Sequence, residues 1–294
     1  MRAIVIGTVY FTHAMLNELL ENKANIVAVV TSSNNVINAD YADLAPLCEE
    51  YNLPLLRVDD INSESSISWM KSYEPDVIFC LGWSRLIKKQ VLNMPTIGVV
   101  GYHPAALPKN RGRHPLIWAL ALGLKETVST FFFMDEGADS GDIVSQERIE
   151  ISDTDYASHL YSKMTAIAKK QIVDLYQSLE KGSYNAISQD HSQSNVWRKR
   201  GTADGKIDWR MGSTSIYNLV RALSKPYVGS HFVKDMLDVK VWACEKRELP
   251  ESANIEPGKV LIVDEAGILV KCGVGGILLT NIEPYVDISV GDYL

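Results

Sequence analysis

Cysteine is scarce and dispersed: Cys48, Cys80, Cys244 and Cys272 are the only four in 294 residues, with no CxxC pair and no histidine at metal-ligand spacing. That pattern excludes a disulfide framework and gives no support to a structural zinc site, so reduced, mostly buried thiols and no bound metal are expected. Positive charge is short as well. Lys plus Arg number 29 against 36 Asp plus Glu, a formal net charge of -7, which argues against a surface built to follow a nucleic-acid backbone. No apolar run approaches the length that spans a bilayer, and the amino-terminal MRAIVIG enters a strand pattern rather than a signal-peptide core, so no membrane partner and a cytoplasmic location are expected. Neither a G-x-G-x-x-G nor a P-loop pattern follows the first apolar run, so a dinucleotide or ATP site lacks its usual cradle. Internal repeats and low-complexity tracts are missing.

What is present is ample apolar content, 46% of the chain, arranged in an alternating pattern. Ala3 to Ile6 is a compact apolar run. After Gly7, THAMLNELLEN places Met15, Leu16, Leu19 and Leu20 on one helical face. Strands are predicted at 26–30, 54–58, 76–81 and 98–101, with a helix over 43–51. Runs that are apolar on both faces and spaced by helices imply a parallel sheet covered on each side. Thr127 to Met134 and Asp142 to Ile151 read as an added hairpin, and a long helix follows from about Asp155 to Lys181.

Composition then shifts. Residues 183–203 are polar and poor in aliphatics, which predicts a linker laid on the surface, and an amphipathic helix over Ser213 to Leu223 precedes short strands near 239–243, 258–263, 268–272 and 277–279. The expected fold class is α/β, with a Rossmann-like parallel-sheet domain over 1–182, a linker over 183–203, and a smaller, mainly β, OB-like domain over 204–294.

Two loops carry the chemistry. Residues 97–118 read IGVVGYHPAALPKNRGRHPLIW and residues 134–142 read MDEGADSGD. The first delivers His103 to a strand end and the second supplies Asp139 from a turn-rich stretch. An imidazole titrates nearest neutrality and can take or give a proton, and a carboxylate beside it orients the ring and stabilises the imidazolium. The basic residues Lys109, Arg111 and Arg113 next to His103 are expected to anchor a phosphorylated acceptor, because guanidinium groups bind phosphate in a bidentate fork.

These motifs resemble the folate-dependent formyltransferase family, which includes methionyl-tRNA formyltransferases and N-formyltransferases acting on amino sugars. The family pattern N-x-H-x-S-L-L-P-x-x-R-G followed by D-x-G is matched at His103, Leu107, Pro108, Arg111, Gly112, Asp139 and Gly141, and the 36 positions between His103 and Asp139 agree with the family's spacing. The resemblance extends through IVIGTVYF at the amino terminus to DGKIDWRMGSTSIYNLVRAL, PGKV and AGILVKCGVG. Among the departures, Gly101 stands where the family has its catalytic Asn, and Ala105 where it has Ser. A missing oxyanion donor costs on the order of a hundredfold in rate, so a substitute is expected from a backbone N–H freed by Gly101, from Asn110 or from His114.

The resemblance implies an enzyme that transfers a formyl group from 10-formyltetrahydrofolate to a primary amine without a metal, with His103 and Asp139 catalytic. It places the pterin against Gly82, Trp83, Leu86 and Ile87 and against the backbone around Asp135, Gly137 and Ala138. It also assigns Gly7, Tyr10 and Arg200 to the acceptor side, and it implies a homodimer. The tRNA enzymes carry a basic insertion after the second strand, whereas residues 31–45 here have no Lys or Arg and include Asp40 and Asp43, and residues 201–294 hold ten Lys plus Arg against thirteen Asp plus Glu. A polyanionic tRNA is therefore disfavoured. The expected acceptor is an amino sugar of the kind found in cell-surface polysaccharides, either a nucleotide-linked deoxy-amino-hexose or a nonulosonic acid such as pseudaminic acid. The alternatives are a methionyl-tRNA formyltransferase and a non-catalytic folate- or sugar-binding protein.

Overall fold

Continuous apolar runs become fully enclosed strands in the computed structural model, which describes residues 1–33, 39–250 and 254–294. Every residue of β1 (Ala3–Ile6) and β4 (Val77–Cys80) is buried. These strands alternate with α1 (Tyr10–Glu21), β2 (Ile26–Ser32), α2 (Ala45–Glu50), β3 (Leu55–Val58) and α3 (Glu64–Lys71). Then follow α4 (Lys89–Leu92), β5 (Gly98–His103), the short β6 (Arg111–Gly112), α5 (Pro115–Ala121), β7 (Glu126–Phe133), β8 (Ile143–Glu150), α6 (Ala157–Lys181) and the short β9 (Val196–Trp197). Residues 1–115, 127–149 and 162–197 form one compact unit; residues 116–126, 150–161 and 198–294 form a second.

The first unit holds a seven-stranded sheet in the order β3-β2-β1-β4-β5-β7-β8. Strands β3 to β5 pair in parallel. The hairpin expected as an addition is instead part of this sheet: β7 runs antiparallel to β5, with Gly101 opposite Phe132 and His103 opposite Thr130. Its residues explain this, since Phe131 and Phe132 point to opposite faces and both are buried. One core layer gathers Ile4, Ile6, Val30, Met70, Ile78 and Val91. Across α6, Leu160, Met164, Ala168, Ile172, Leu175 and Leu179 are buried at helical spacing. The Tyr176 hydroxyl donates to the Met1 carbonyl at 2.8 Å and accepts from the Asn25 N–H at 2.9 Å, fastening this helix to the start of the sheet.

Strand order reverses between β1 and β4, the place where open α/β sheets bind ligands beyond the strands' carboxyl ends. The two ends are drawn together there. Thr12 Oγ1 donates to the Leu81 carbonyl at 2.6 Å, and a Cβ on Gly7 would lie 2.1 Å from that same oxygen, so only glycine fits after β1.

The second unit contains α7 (Ser213–Leu223), β10 (Ser230–Lys234), β11 (Leu237–Arg247), β12 (Val260–Asp264), β13 (Gly267–Lys271) and β14 (Gly276–Glu283). The five strands form an antiparallel sheet in the order β10-β11-β14-β13-β12. One face of α7 buries Ile216, Leu219, Val220 and Leu223. The α/β class with a smaller β unit is thus observed. Among the described residues no helix is long and apolar enough to cross a membrane, and no cluster of three His, Cys, Asp or Glu could hold a metal ion.

All four cysteines are free and buried. Burial pushes the Cys48 thiol up to about 11 and those of Cys80, Cys244 and Cys272 up to about 12. The thiolate is the reactive form, so at pH 8 the native protein is expected to leave a disulfide reagent such as DTNB unreacted. Unfolding in guanidinium should release all four. Rapid native-state colour development would contradict this packing.

Candidate active site

β5 ends at His103, whose ring is enclosed at 4% exposure. Its Nε2 lies 2.7 Å from the Asn110 carbonyl oxygen. A carbonyl can only accept, so Nε2 carries a hydrogen and donates it. The other nitrogen, Nδ1, faces Asp139 Oδ2 at 3.7 Å. This is ion-pair range rather than a hydrogen bond. The two residues expected to meet therefore do so, through the Nδ1 edge, where a proton can pass between imidazole, carboxylate and a third group placed beside them.

Asp139 is held in two ways. Its Oδ2 accepts from the Gly112 N–H at 2.8 Å, and its backbone sits in the left-handed region at φ 54°. Asp135 Oδ1 accepts from the Gly137 N–H at 2.9 Å and from Ser140 Oγ at 2.7 Å, closing the turn that carries Asp139. Gly112 owes its place to pairing of β6 with β9, flanked by hydrogen bonds from Arg111 N to the Asn195 carbonyl and from Arg113 N to the Trp197 carbonyl, each 3.0 Å.

The basic cluster is rearranged from expectation. Arg111 is only 7% exposed, and it donates to Gln189 Oε1 from Nε at 3.2 Å and from Nη2 at 2.6 Å. Nη2 also reaches His191 Nδ1 at 3.0 Å. It is a buried internal clamp, not an anchor offered to an acceptor. Arg113 is exposed and donates to the Ser84 carbonyl at 3.1 Å, and Lys109 is exposed. Arg200 lies in the second unit, where it stacks 4.6 Å over Trp118 and donates to the Asp204 carbonyl at 2.6 Å. Burial pushes its guanidinium pKa down. Its contacts tie down its own segment rather than present it to a ligand.

The loop after β4 has a defined shape. Gly82 takes φ 66°, Trp83 is partly buried, Leu86 is 71% exposed and Ile87 is buried. Asn62 pins the loop by donating to the Leu86 carbonyl at 2.9 Å and accepting from the Lys88 N–H at 2.8 Å, and Arg85 donates to the Asp59 carbonyl. The Trp83 indole N–H is buried with no hydrogen-bond partner. Ala138 is exposed in the 135–139 turn, as are Asp135 and Gly137. Gly7 closes the β1 end, and Tyr10 at the start of α1 is exposed, its ring stacked 6.5 Å from His13. Of the acidic stretch 31–45, residues 34–38 lie outside the described residues.

Gly101 is no empty slot. A Cβ there would lie 2.9 Å from Met134 Cγ and 3.0 Å from Phe132 Cζ, and its backbone is flanked by β4 and β7. Side-chain volume has been moved to the neighbours, and the peptide is committed to the sheet, so a donor freed at Gly101 is not observed. Gln189, Asn195 and Asn62 were not singled out by sequence reasoning; the first two lie in the polar stretch read as a surface linker. Gly101→Asn is expected to overpack this site and destabilise the protein by about 1–3 kcal/mol, read as a lower urea midpoint. An unchanged midpoint would show that Met134 and Phe132 yield freely.

Residues 1–175 match the formyl transferase family model and residues 200–286 match the model for the formyl transferase C-terminal domain. A methionyl-tRNA formyltransferase of Acetivibrio thermocellus is 27% identical over 287 residues, covering 96% of this chain and 92% of the relative. Among solved structures, the sugar 3N-formyl transferase WlaRD, crystallised with dTDP and 5-N-formyl-THF, superposes with a TM-score of 0.71 at 17% identity, covering 97% of this chain and 99% of that one. An N-formyltransferase from Helicobacter canadensis in complex with folinic acid and dTDP-3-aminofucose gives a TM-score of 0.70 at 18% identity, covering 95% and 98%. With both family domains in order and the imidazole and carboxylate of the matched motifs facing each other, this chain belongs to the formyl transferase family and is an N-formyltransferase.

Proposed function

We propose that this enzyme moves the formyl group of 10-formyltetrahydrofolate onto the primary amine of an amino sugar, with His103 and Asp139 as its acid–base pair. The observation that carries the reading is the enclosed His103 ring with Nδ1 3.7 Å from Asp139 Oδ2, at the carboxyl end of β5. The bound folate would supply an electrophilic formyl carbonyl. The residues present fit such a ligand: the orphaned Trp83 N–H is a buried donor in want of an acceptor, and residues 135–138 of the turn are exposed. Gly82, Trp83 and Leu86 would form one wall, with Ile87 buried in the core behind them rather than facing the ligand, and Asp135, Gly137 and Ala138 the edge that reads the pterin.

In this scheme the amine nitrogen bonds to the formyl carbon while the bond from that carbon to N10 of the folate breaks. Asp139 accepts the proton lost by the amine, and His103 passes a proton through Nδ1 to the departing N10, so that tetrahydrofolate leaves neutral at that nitrogen. Asn110 is the best-supported substitute for the family Asn. Its carbonyl already touches the His103 ring, and its carboxamide makes no hydrogen bond among the described residues, so an N–H is left for an oxygen gaining charge.

The sugar reading rests on charge. Residues 31–45 lack Lys and Arg, residues 201–294 are mildly acidic, and the whole chain carries -7, a poor match for a polyanion. A second reading, formylation of methionyl-tRNA, is favoured by the curated relatives, which are methionyl-tRNA formyltransferases at 27–29% identity.

Incubation with 10-formyltetrahydrofolate and either a panel of nucleotide-linked amino sugars and nonulosonic acids or initiator methionyl-tRNA, read by mass gain on the acceptor, separates the readings. Formylated sugar and unchanged tRNA are expected. Formylated tRNA with salt-sensitive binding would replace the sugar assignment, and folate binding with no product on any acceptor would mark a non-catalytic binder. With the accepted substrate, His103→Ala and Asp139→Asn are each expected to lower kcat by about 10²–10⁴-fold; wild-type rates in either variant would remove that residue from the chemistry.

A further inference from the structure

Asp139 is poised at a backbone conformation that a residue with a Cβ does not favour, φ 54°, and such a position persists only where its surroundings hold it. The Gln189 carboxamide does the holding. Its Nε2 donates to the Asp139 carbonyl at 2.9 Å and to the Gly141 carbonyl at 2.7 Å, while its Oε1 accepts from Arg111 Nε and Nη2 at 3.2 and 2.6 Å. Amide orientation is often ambiguous, but here it is forced. Both neighbours of Nε2 are carbonyl oxygens, which cannot donate, and both neighbours of Oε1 belong to a guanidinium, which cannot accept.

Gln189 is only 6% exposed, so an unmet hydrogen-bonding group there would be costly. The contacts close a loop. Arg111, on Oε1, precedes Gly112, whose N–H holds Asp139 Oδ2 at 2.8 Å; Asp139, on Nε2, returns to the same carboxamide. His191 Nδ1 completes the far side of Arg111 at 3.0 Å. Backbone and carboxylate of Asp139 are thereby referred to one side chain.

We propose that Gln189 is a positioning residue for formyl transfer, setting the place of the Asp139 carboxylate opposite His103 through the 139 and 141 carbonyls. It deepens the acid–base reading above and rests on it. A displacement of about 1 Å in such a constellation costs on the order of a hundredfold in rate, so the carboxamide should be visible in turnover although it touches neither His103 nor Asp139's carboxylate.

Gln189→Glu tests this in the full chain, because it keeps an oxygen for Arg111 while replacing the two donors with repulsion toward the carbonyls. Gln189→Met, which removes both ends of the amide at similar length, is the second variant should the first not fold. The readouts are thermal unfolding, kcat and KM on the acceptor accepted by wild type, and a crystal structure of the variant. The expected result is a folded protein with kcat about tenfold to a hundredfold lower, KM within about twofold, and Asp139 Oδ2 displaced from its 3.7 Å approach to His103 Nδ1. A folded variant with wild-type kcat, a loss confined to KM, or a carboxylate that has not moved would overturn the proposal. If wild type formylates no acceptor, the functional reading fails by itself, and the crystallographic distance still decides the role of Gln189.

Discussion

The carbonyl of Asn110 can take a hydrogen and can never give one, and that asymmetry governs the enclosed imidazole beside it. Nε2 of His103 must keep its hydrogen, so only the Nδ1 edge is left for exchange, and that is the edge Asp139 faces. The carbonyl points inward because Asn110 adopts φ 63°, a conformation asparagine tolerates better than most residues. Its own N–H is received by Asn195 Oδ1 at 2.9 Å. Ring, carboxylate and supporting backbone thus form one set of mutually dependent positions, in which the tautomer is a consequence of main-chain geometry.

The sheet supplies the precision that such a set requires. β5 carries His103 between β4 and β7, so the strand that ends at the imidazole is paired on both sides. β7 and β8 bracket the turn that holds Asp139, which makes the antiparallel edge part of the site rather than an ornament on a parallel sheet. The same pairing explains how Gly101 is accommodated. Phe132 stands opposite it across the ladder, Met134 follows on, and the two fill the volume a side chain at 101 would need.

Much of this was legible in the residues. Enclosed parallel strands announce themselves as short apolar runs, and His103 and Asp139 stand out because motif order and spacing coincide with predicted strand ends. Arg111 departs from its expected place for a physical reason. A guanidinium in a loop of Lys and Arg looks solvent-facing, and the partner that makes its burial tolerable lies 78 positions away, beyond any local pattern. Gln189 is hidden for the mirror-image reason: a polar stretch suggests exposure, but carbonyls that turn inward need a buried donor. The hairpin is legible as strands, while its membership of the main sheet depends on pairing that periodicity alone does not encode.

The stretch between α6 and α7 has the look of a seam, low in aliphatics and rich in serine. Yet β9, Asn195 and Gln189 all fall within it, and each reaches back to the loops around the imidazole and carboxylate. Anyone recombining modules of this family at the end of α6 would inherit every strand of the larger sheet and both reactive side chains, and would leave behind the clasp that keeps them aligned. The functional border of the amino-terminal module therefore runs some residues past its last long helix, after Trp197, and a graft that respects composition rather than hydrogen bonding would cut through the machinery it meant to transplant.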